Sequence, residues 1–326
     1  MPAGPLKVIH PSDNLDGADT MNVDSDPPSA RNSKRPHRLF KNWMAKLATL
    51  PMILTALVVF VGGTAWTVTY SFTGSRMLPK TNWVGLDQYE RLWSSDRWMI
   101  SIKNLGIYGI CSLVLTLIIG FTLAACLDRK IRFEGVFRSI FLYPFALSFV
   151  VTGLAWQWIL NPDFGMQSVV RDWGWLTFNF DPLNNPDIVM FGLLIAGIWQ
   201  GSGLIMCIML AGLRGIDEDI WKATKVDGVG TVKTYVMVII PMMRPVFVTA
   251  LVLIAAGIIK LYDLVVAQTG GGPGLSSEVP AKYVIELMFR AQNLGQGFAA
   301  STMMLCSVVI ILIPWAYLEF GGRKRG

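Results

Sequence analysis

The sequence predicts an all-α polytopic membrane protein with six transmembrane helices, and three observations point there. Its 326 residues are 53% apolar or aromatic and only 15% charged. The apolar residues are gathered into runs of about 20 or more, and a helical run of that length at ~1.5 Å per residue crosses a ~30 Å hydrocarbon layer. An open sheet edge cannot satisfy its backbone in lipid, so each run has to be helical. The runs cover 47–72, 105–127, 139–160, 188–213, 246–269 and 298–320.

Residues 1–30 are rich in Pro, Asp, Asn and Ser with few hydrophobes. Such a segment buries too little surface to offset its ordering entropy, so the tail through residue 40 is expected to be disordered and the membrane domain to cover 41–326. A basic cluster (Arg31, Lys34, Arg35, Arg38, Lys41, Lys46) precedes the first run. That pairing looks like a signal peptide, but the run is too long, lies too far from the start and lacks a small-residue cleavage site. It is expected to remain as an anchor. The polar loop 73–104 carries Trp83, Tyr89, Trp93 and Trp98, which suits an interfacial aromatic belt or a docking surface for a partner outside the membrane. Loop 161–186 holds Trp173, Trp175, Phe178 and Phe180 among prolines, and loop 270–297 opens with Gly-Gly-Gly-Pro-Gly, a helix terminator.

The fourth and fifth runs are separated by a polar insert, IDEDIWKATKVDGVGTVKTYVMVIIPMMRP (216–245). Asp217, Glu218 and Asp219 suit the positive end of a helix dipole, and Glu218 stands four residues before Lys222 in the favourable order. Gly228 after Asp227 permits a left-handed turn. A second amphipathic stretch, 231–240, aligns Val232, Tyr235, Val236 and Ile239, and Pro241 and Pro245 are expected to stop it and launch the next run. From the residues alone the insert is either a surface hairpin or a handle gripped by a cytoplasmic partner.

Orientation follows from the basic residues. Those around 31–46, 129–138, 214–244 and 323–325 outnumber those in the alternate loops (Arg76, Lys80, Arg91, Arg97, Lys103, Arg171, Lys282, Arg290), placing both termini and the insert in the cytoplasm. The net charge of +6 is this bias itself and calls for no nucleic-acid partner. The four cysteines lie inside apolar runs without metal-ligand spacing, both histidines (His10, His37) lie in the tail, and no Gly-Lys pair offers a phosphate loop. Neither a metal site nor a catalytic cluster is expected.

Charge inside a run is costly, roughly 2.5–3.5 kcal/mol at the bilayer centre on insertion scales. Lys260 and Asp263 in the fifth run therefore need a reason: an ion pair three residues apart on one helix face, or, with Tyr262, a lining for a polar solute. Trp199 and Gln200 in the fourth run are the other pair with solute-binding chemistry, against which stands ordinary packing of the indole.

The insert carries the decisive resemblance. Lys222-Ala223-Thr224, three residues, Gly228, nine residues, Val238, one residue, Ile240-Pro241 is similar in spacing to the Glu-Ala-Ala…Gly…Ile-x-Leu-Pro signature of the membrane subunits of binding-protein-dependent ABC importers, with Lys222 in place of the acidic residue and Thr224 of the second Ala. FLYPFALSFVVTGLAWQWILNP, IWQGSGLIMCIMLAGLRGI, Tyr262-Asp263 and TGGGP (269–273) resemble the sugar-importer, maltose-type branch, most of all glucose, mannose or α-glucoside permeases. The resemblance covers about the last 220 residues. It implies the type I importer transmembrane fold in the bacterial inner membrane and a coupling helix within 214–245. Glu218, Lys222, Ala223, Thr224, Asp227, Gly228 and Pro241 would meet a homodimeric cytoplasmic ATPase, and ATP and Mg2+ would bind on that partner. It further implies a second, homologous permease subunit, an extracytoplasmic solute-binding protein and a sugar substrate passing Trp199, Gln200, Lys260, Tyr262 and Asp263. This chain would hold no cofactor, face membrane lipid and catalyse no reaction. A channel or secondary transporter, or a non-transporting regulator associated with an ABC complex, are the other readings.

Overall fold

Each apolar run forms helix in the computed structural model, which describes residues 43–129 and 131–321; the tail expected to be disordered and the basic residues 323–325 lie outside the described residues. The chain divides into two units, Met1–Thr55 and Ala56–Gly326. The described part of the first is the start of α1 (Trp43–Ala56). A wide π turn (Leu57–Gly62) and α2 (Gly63–Tyr70) open the second.

There follow α3 (Asp87–Trp93), α4 (Asp96–Leu127), α5 (Glu134–Leu142), a 3-10 turn (Tyr143–Ala146), α6 (Phe149–Ile159), α7 (Met166–Asp172) and α8 (Val189–Arg214). Then come α9 (Glu218–Val226), α10 (Thr231–Thr234), a π turn (Tyr235–Ile239), α11 (Ile240–Met242), α12 (Arg244–Ile259) and α13 (Asp263–Gln268). Next is α14 (Pro280–Ile285), running into a π turn (Glu286–Arg290), and α15 (Leu294–Gly321) closes the described chain. Among the described residues there is no strand, only an isolated bridge between Thr73 and Trp83.

Among the described residues, four helical stretches are long and apolar enough to cross a membrane: Thr49–Tyr70, Asp96–Leu127, Val189–Arg214 and Leu294–Ile313. The count reaches six if two bent pairs each form one span. Straight third and fifth runs are therefore corrected. In the third, Glu134–Ala146 and Phe149–Ile159 meet at 100°. Leu147 is extended there, Ser148 caps α6 by accepting from the Val151 N–H, and the freed Leu147 carbonyl accepts from Gln200 Nε2 at 2.7 Å. Thr231–Met242 and Arg244–Ile259 meet at 75° just ahead of the fifth run, and the run itself breaks at Lys260–Tyr262 before α13.

The bundle is organised on α4 and α8. Buried residues of α4 (Trp98, Ser101, Asn104, Tyr108, Ser112, Thr116, Gly120, Ala124, Leu127) recur every three or four positions, so they share one face. In lipid the apolar tails compete equally for such a face, and close van der Waals packing through small residues has to hold helices together. Accordingly, a Cβ on Gly120 would stand 2.7 Å from Ile205 of α8, and one on Gly203 would collide with the Phe141 carbonyl. One core cluster joins Ala124, Met206, Met209, Leu213, Ile239 and Met243, and a second joins Leu193, Ala196, Leu264, Val265 and Val279. The third, Leu92, Trp98, Tyr283, Val284 and Ala300, lies at the Asp96 end of α4. Thirty-two residues of α4 span roughly 48 Å, so that end and the Leu127 end are at opposite faces of the bundle.

Candidate functional site

At the Leu127 end, residues 214–245 fold as helix–turn–helix. Asp217 accepts from the Asp219 N–H at 3.0 Å and caps α9. Gly228 has φ +67°, the Val229 N–H returns to the Thr224 carbonyl at 3.0 Å, and the Gly228 N–H to that of Lys225 at 3.2 Å. This is a glycine-terminated helix end. A Cβ at Gly228 would meet nothing within 4 Å, so the demand for glycine is conformational, not steric.

The inner face of α9 is anchored by an aromatic chain: Trp221 lies 5.5 Å from Tyr235, and Tyr235 stands edge-on to Phe121 of α4 at 6.1 Å. Thr224 is buried and donates to the Trp221 carbonyl at 3.0 Å. Glu218, Lys222, Ala223 and Asp227 face outward. Lys222 Nζ lies 3.0 Å from Asp219 and 3.7 Å from Glu218, so the cation that departs from the family signature is paired within its own helix. Exposed pairs of this kind contribute only a few tenths of a kcal/mol.

The second helix stops between Pro241 and Pro245, as expected, and a 75° bend there launches α12, but its buried face is not the expected one. It runs through Pro241 to Met242: the Ile240 N–H reaches back five residues to the Tyr235 carbonyl, and the widened turn accommodates a ring without an N–H. That turn also rotates the register, so Ile239 is buried and Tyr235 half-buried while Val232 and Val236 are exposed. Arg214, at the end of α8, pairs with Glu134 at 2.8 Å and more loosely with Asp128 at 3.9 Å. Burial and the charge of Glu134 push the Asp128 carboxyl up, against the pull of Arg214. Asp128, Arg214, Glu218, Trp221, Lys222 and Lys225 line a cavity of about 450 Å³.

Midway along the bundle, α4, α8, α12 and the 143–149 bend enclose a cleft of about 140 Å³. Gln200 lines it and is only 2% exposed; its Nε2 is spent on Leu147, and its Oε1 is buried with no partner. Tyr108, Ser112 and Thr116 of α4 also line it. Glycines 197, 201 and 257 keep the floor low, and Phe145, Phe149 and aliphatic side chains complete the wall. Sequence reasoning found Gln200 but missed the three hydroxyls. Their signal was present as polar residues at i, i+4 and i+8 in an otherwise apolar run.

The other candidates are not gathered there. Trp199 is 39% exposed and packs edge-on against Trp156 at 6.0 Å. Lys260 and Asp263 are exposed and make no ion pair with each other, because the helix is broken between them, with Tyr262 at φ −133°, ψ −61°. The same-face ion pair is thus overturned, and of this segment only Leu261 reaches the cleft.

Sequence reasoning also missed a charge cluster at the Asp96 end of α4. Glu278, 1% exposed, receives Arg97 at 2.6 Å and Lys282 at 2.8 Å; Glu286 receives Lys282 at 2.7 Å and also Arg97. Burial opposes ionisation of Glu286, but the hydrogen bonds from Lys282 and Arg97 win and hold its carboxyl below the usual glutamate value. Asn104 donates to the Leu275 and Glu278 carbonyls, tying the 270–278 loop to α4. Gly271, at φ +93°, leaves room for Lys282: a Cβ there would lie 2.8 Å from Nζ. The 270–274 glycine run is therefore a folded turn locked on an ion cluster, more than a terminator. Its sequence signal was the i, i+4, i+8 alternation of Glu278, Lys282 and Glu286.

Comparison with known proteins agrees with this architecture. Residues 116–320 match the family described as binding-protein-dependent transport system inner membrane component. The chain is 32% identical over 283 residues to a probable ABC transporter permease protein of Pyrococcus horikoshii, covering 84% of this chain and 94% of that one. It is 30% identical to the xylose/arabinose import permease protein XacH of Haloferax volcanii, covering 83% and 86%. Identity is 26% to the trehalose/maltose transport system permease protein MalF of Thermococcus litoralis, covering 86% and 92%. The fold is shared with a chain of a bacterial ABC transporter involved in the import of the acidic polysaccharide alginate, at a TM-score of 0.73, 18% identity and coverage of 87% and 96%. The chain belongs to the family of binding-protein-dependent transport system inner membrane components, the permease subunits of ABC transporters.

Proposed function

We propose that this chain is one of two permease subunits of an ATP-driven sugar importer in the cytoplasmic membrane. The observation that carries the reading is the α9–Gly228–α10 unit, a short capped helix anchored through Trp221 and Tyr235 to α4 and presenting Glu218, Lys222, Ala223 and Asp227 outward. A rigid helix transmits displacement rather than absorbing it, which suits coupling to a cytoplasmic ATPase dimer. ATP and Mg2+ bind on that partner, and this chain supplies no ATPase chemistry. The Gln200 cleft forms its share of the solute path, a second permease completes the path, and an extracytoplasmic binding protein delivers the sugar. Sugar names recur among the relatives, XacH and MalF included, which supports this substrate class.

The test is a mild-detergent pull-down of the chain from its native membrane, followed by reconstitution of what is recovered. Recovery of an ATPase and a second permease, with sugar uptake that requires ATP, is the expected result. Isolation of the chain alone, with solute flux indifferent to ATP, would move the assignment to a channel or secondary transporter.

A further inference from the structure

We infer that α7 and the turn after it are an interfacial anchor, laying Met166, Val169, Trp173, Trp175 and Leu176 into the lipid headgroup layer at the end of the bundle opposite the helix–turn–helix. The observation is an inverted polarity. Met166, Val169 and Trp173 stand at i, i+3 and i+7 on α7 and its cap, so they share one face. All three are exposed, Trp173 at 82%, and Trp175 and Leu176 continue the exposed apolar surface. Gln167, on another face, is only 5% exposed. Its Oε1 accepts from the Phe180 N–H at 2.6 Å, and its Nε2 donates to the Pro162 carbonyl at 3.4 Å. Half-buried Arg171 donates from Nε to the Phe178 carbonyl at 2.8 Å. The segment thus turns its long polar side chains inward onto its own backbone and its large apolar ones outward. Water favours the reverse arrangement.

Placement says what covers this face. A Cβ on Gly165 would lie 2.4 Å from the Ile159 carbonyl and 2.7 Å from that of Trp158, so α7 starts hard against the last turn of α6. The loop ends at Pro186 and Asp187, which line a cavity with Lys103 and Asn104 near the Asp96 end of α4. Exposed apolar surface is already present on α6, where Val151, Leu154 and Trp158 again stand at i, i+3 and i+7. That helix is half of a candidate membrane span. Headgroups add roughly 5–8 Å beyond the hydrocarbon on each side, so a short helix that begins where the span ends meets that layer.

The side chains match it. Tryptophan joins an apolar ring to one N–H donor, which suits a boundary that is apolar on one side and wet on the other. Trp158, Trp173 and Trp175 are each more than half exposed. Arg171 is the only basic residue in 161–186 and is committed to the Phe178 carbonyl, while Asp163 and Asp172 are exposed beside the apolar face. Attraction to anionic lipid therefore plays no part, unlike in basic interfacial helices, and the partner is a zwitterionic lipid surface held by apolar burial.

The experiment is spin-label accessibility on the full chain, isolated with its partners and placed in phosphatidylcholine nanodiscs. Val169→Cys probes the apolar face and Asp172→Cys is the polar control, each in a background lacking the four native cysteines. The label at 169 should collide readily with oxygen, and several-fold less than the label at 172 with a water-soluble nickel chelate. Neither phosphatidylglycerol nor added salt should change that. Combining Val169→Cys with Trp173→Ser and Trp175→Ser should raise nickel access at 169 several-fold. Equal nickel access at 169 and 172 means a water-facing loop, and exclusion of both reagents at 169 means a protein partner; either overturns the inference. So does an unchanged reading in the serine variant, or a dependence on phosphatidylglycerol. The first comparison keeps every tryptophan in place, so it decides the matter even where the serine variant does not assemble.

Discussion

Gly228 shows how one residue can matter through backbone alone. Its left-handed φ of +67° is open to glycine and tolerable to asparagine, but a β-branched side chain there costs about 1–2 kcal/mol or more, although nothing lies within 4 Å of the missing Cβ. Gly228→Val should therefore insert normally yet lose most sugar uptake, whereas Gly228→Asn should keep most of it; equal uptake in the two variants would remove the argument. Gly203 is the opposite case, a helical glycine on which any Cβ strikes the Phe141 carbonyl. Gly203→Ala should lower stability by about 1–3 kcal/mol, read as a drop in the thermal midpoint of the detergent-solubilised chain. Asp263 is exposed and unpaired with Lys260, so Asp263→Asn should leave assembly of the complex untouched. Failure of assembly on a pull-down would make the residue structural after all.

Among elements, the ion cluster binding α4 to the 270–290 segment offers the clearest energetics. Removing one partner of a buried pair typically costs about 3–5 kcal/mol. Lys282→Met should cost less than that, because Arg97 still faces Glu278 at 2.6 Å. The pH dependence has a defined sign. Glu286 titrates below its ordinary value in the folded chain, so its contribution is complete above the unfolded glutamate range and fades as pH falls through the lowered folded value. The thermal-midpoint difference between wild type and Glu286→Gln should stay constant from pH 7 to roughly pH 5 and shrink below it. A difference that shrinks on going up from pH 5 would contradict the assignment. At the end of α8, Arg214 ties that helix to Asp128, just past α4, and to Glu134, the first residue of α5.

For the molecule as a whole, the length of α4 separates the helix–turn–helix from the ion cluster by nearly the full thickness of a membrane. Single cysteines placed at Glu218 and at Ser276, in a background lacking the four native ones, should react with an impermeant maleimide from opposite sides of the membrane. Labelling of both from one side would break the proposed topology. The central cleft lies between these ends, on the side of α4 that turns to α8, with the 143–149 bend and α12 as its remaining walls. Closing it over a solute requires a second surface, which is the physical reason a partner permease is proposed.

Much of this was legible in the chain itself. Apolar runs of membrane length dictate helices because lipid offers the backbone no other partner. The spacing from Lys222 to Pro241 carried the helix–turn–helix because capping and glycine termination are local chemistry. What lay beyond reach were relations between segments distant in sequence. A hydropathy run cannot tell a straight helix from a pair bent by 100°, since the bend at Leu147 depends on a donor from Gln200, fifty-three residues away. Nor could spacing reveal that Lys260 and Asp263 fall on either side of a break, or that Arg97 reaches Glu278 across 181 residues. Local free energies decide which segments are helical, whereas satisfaction of buried polar groups, a condition on the whole packing, decides where helices break and which side chains share a cleft.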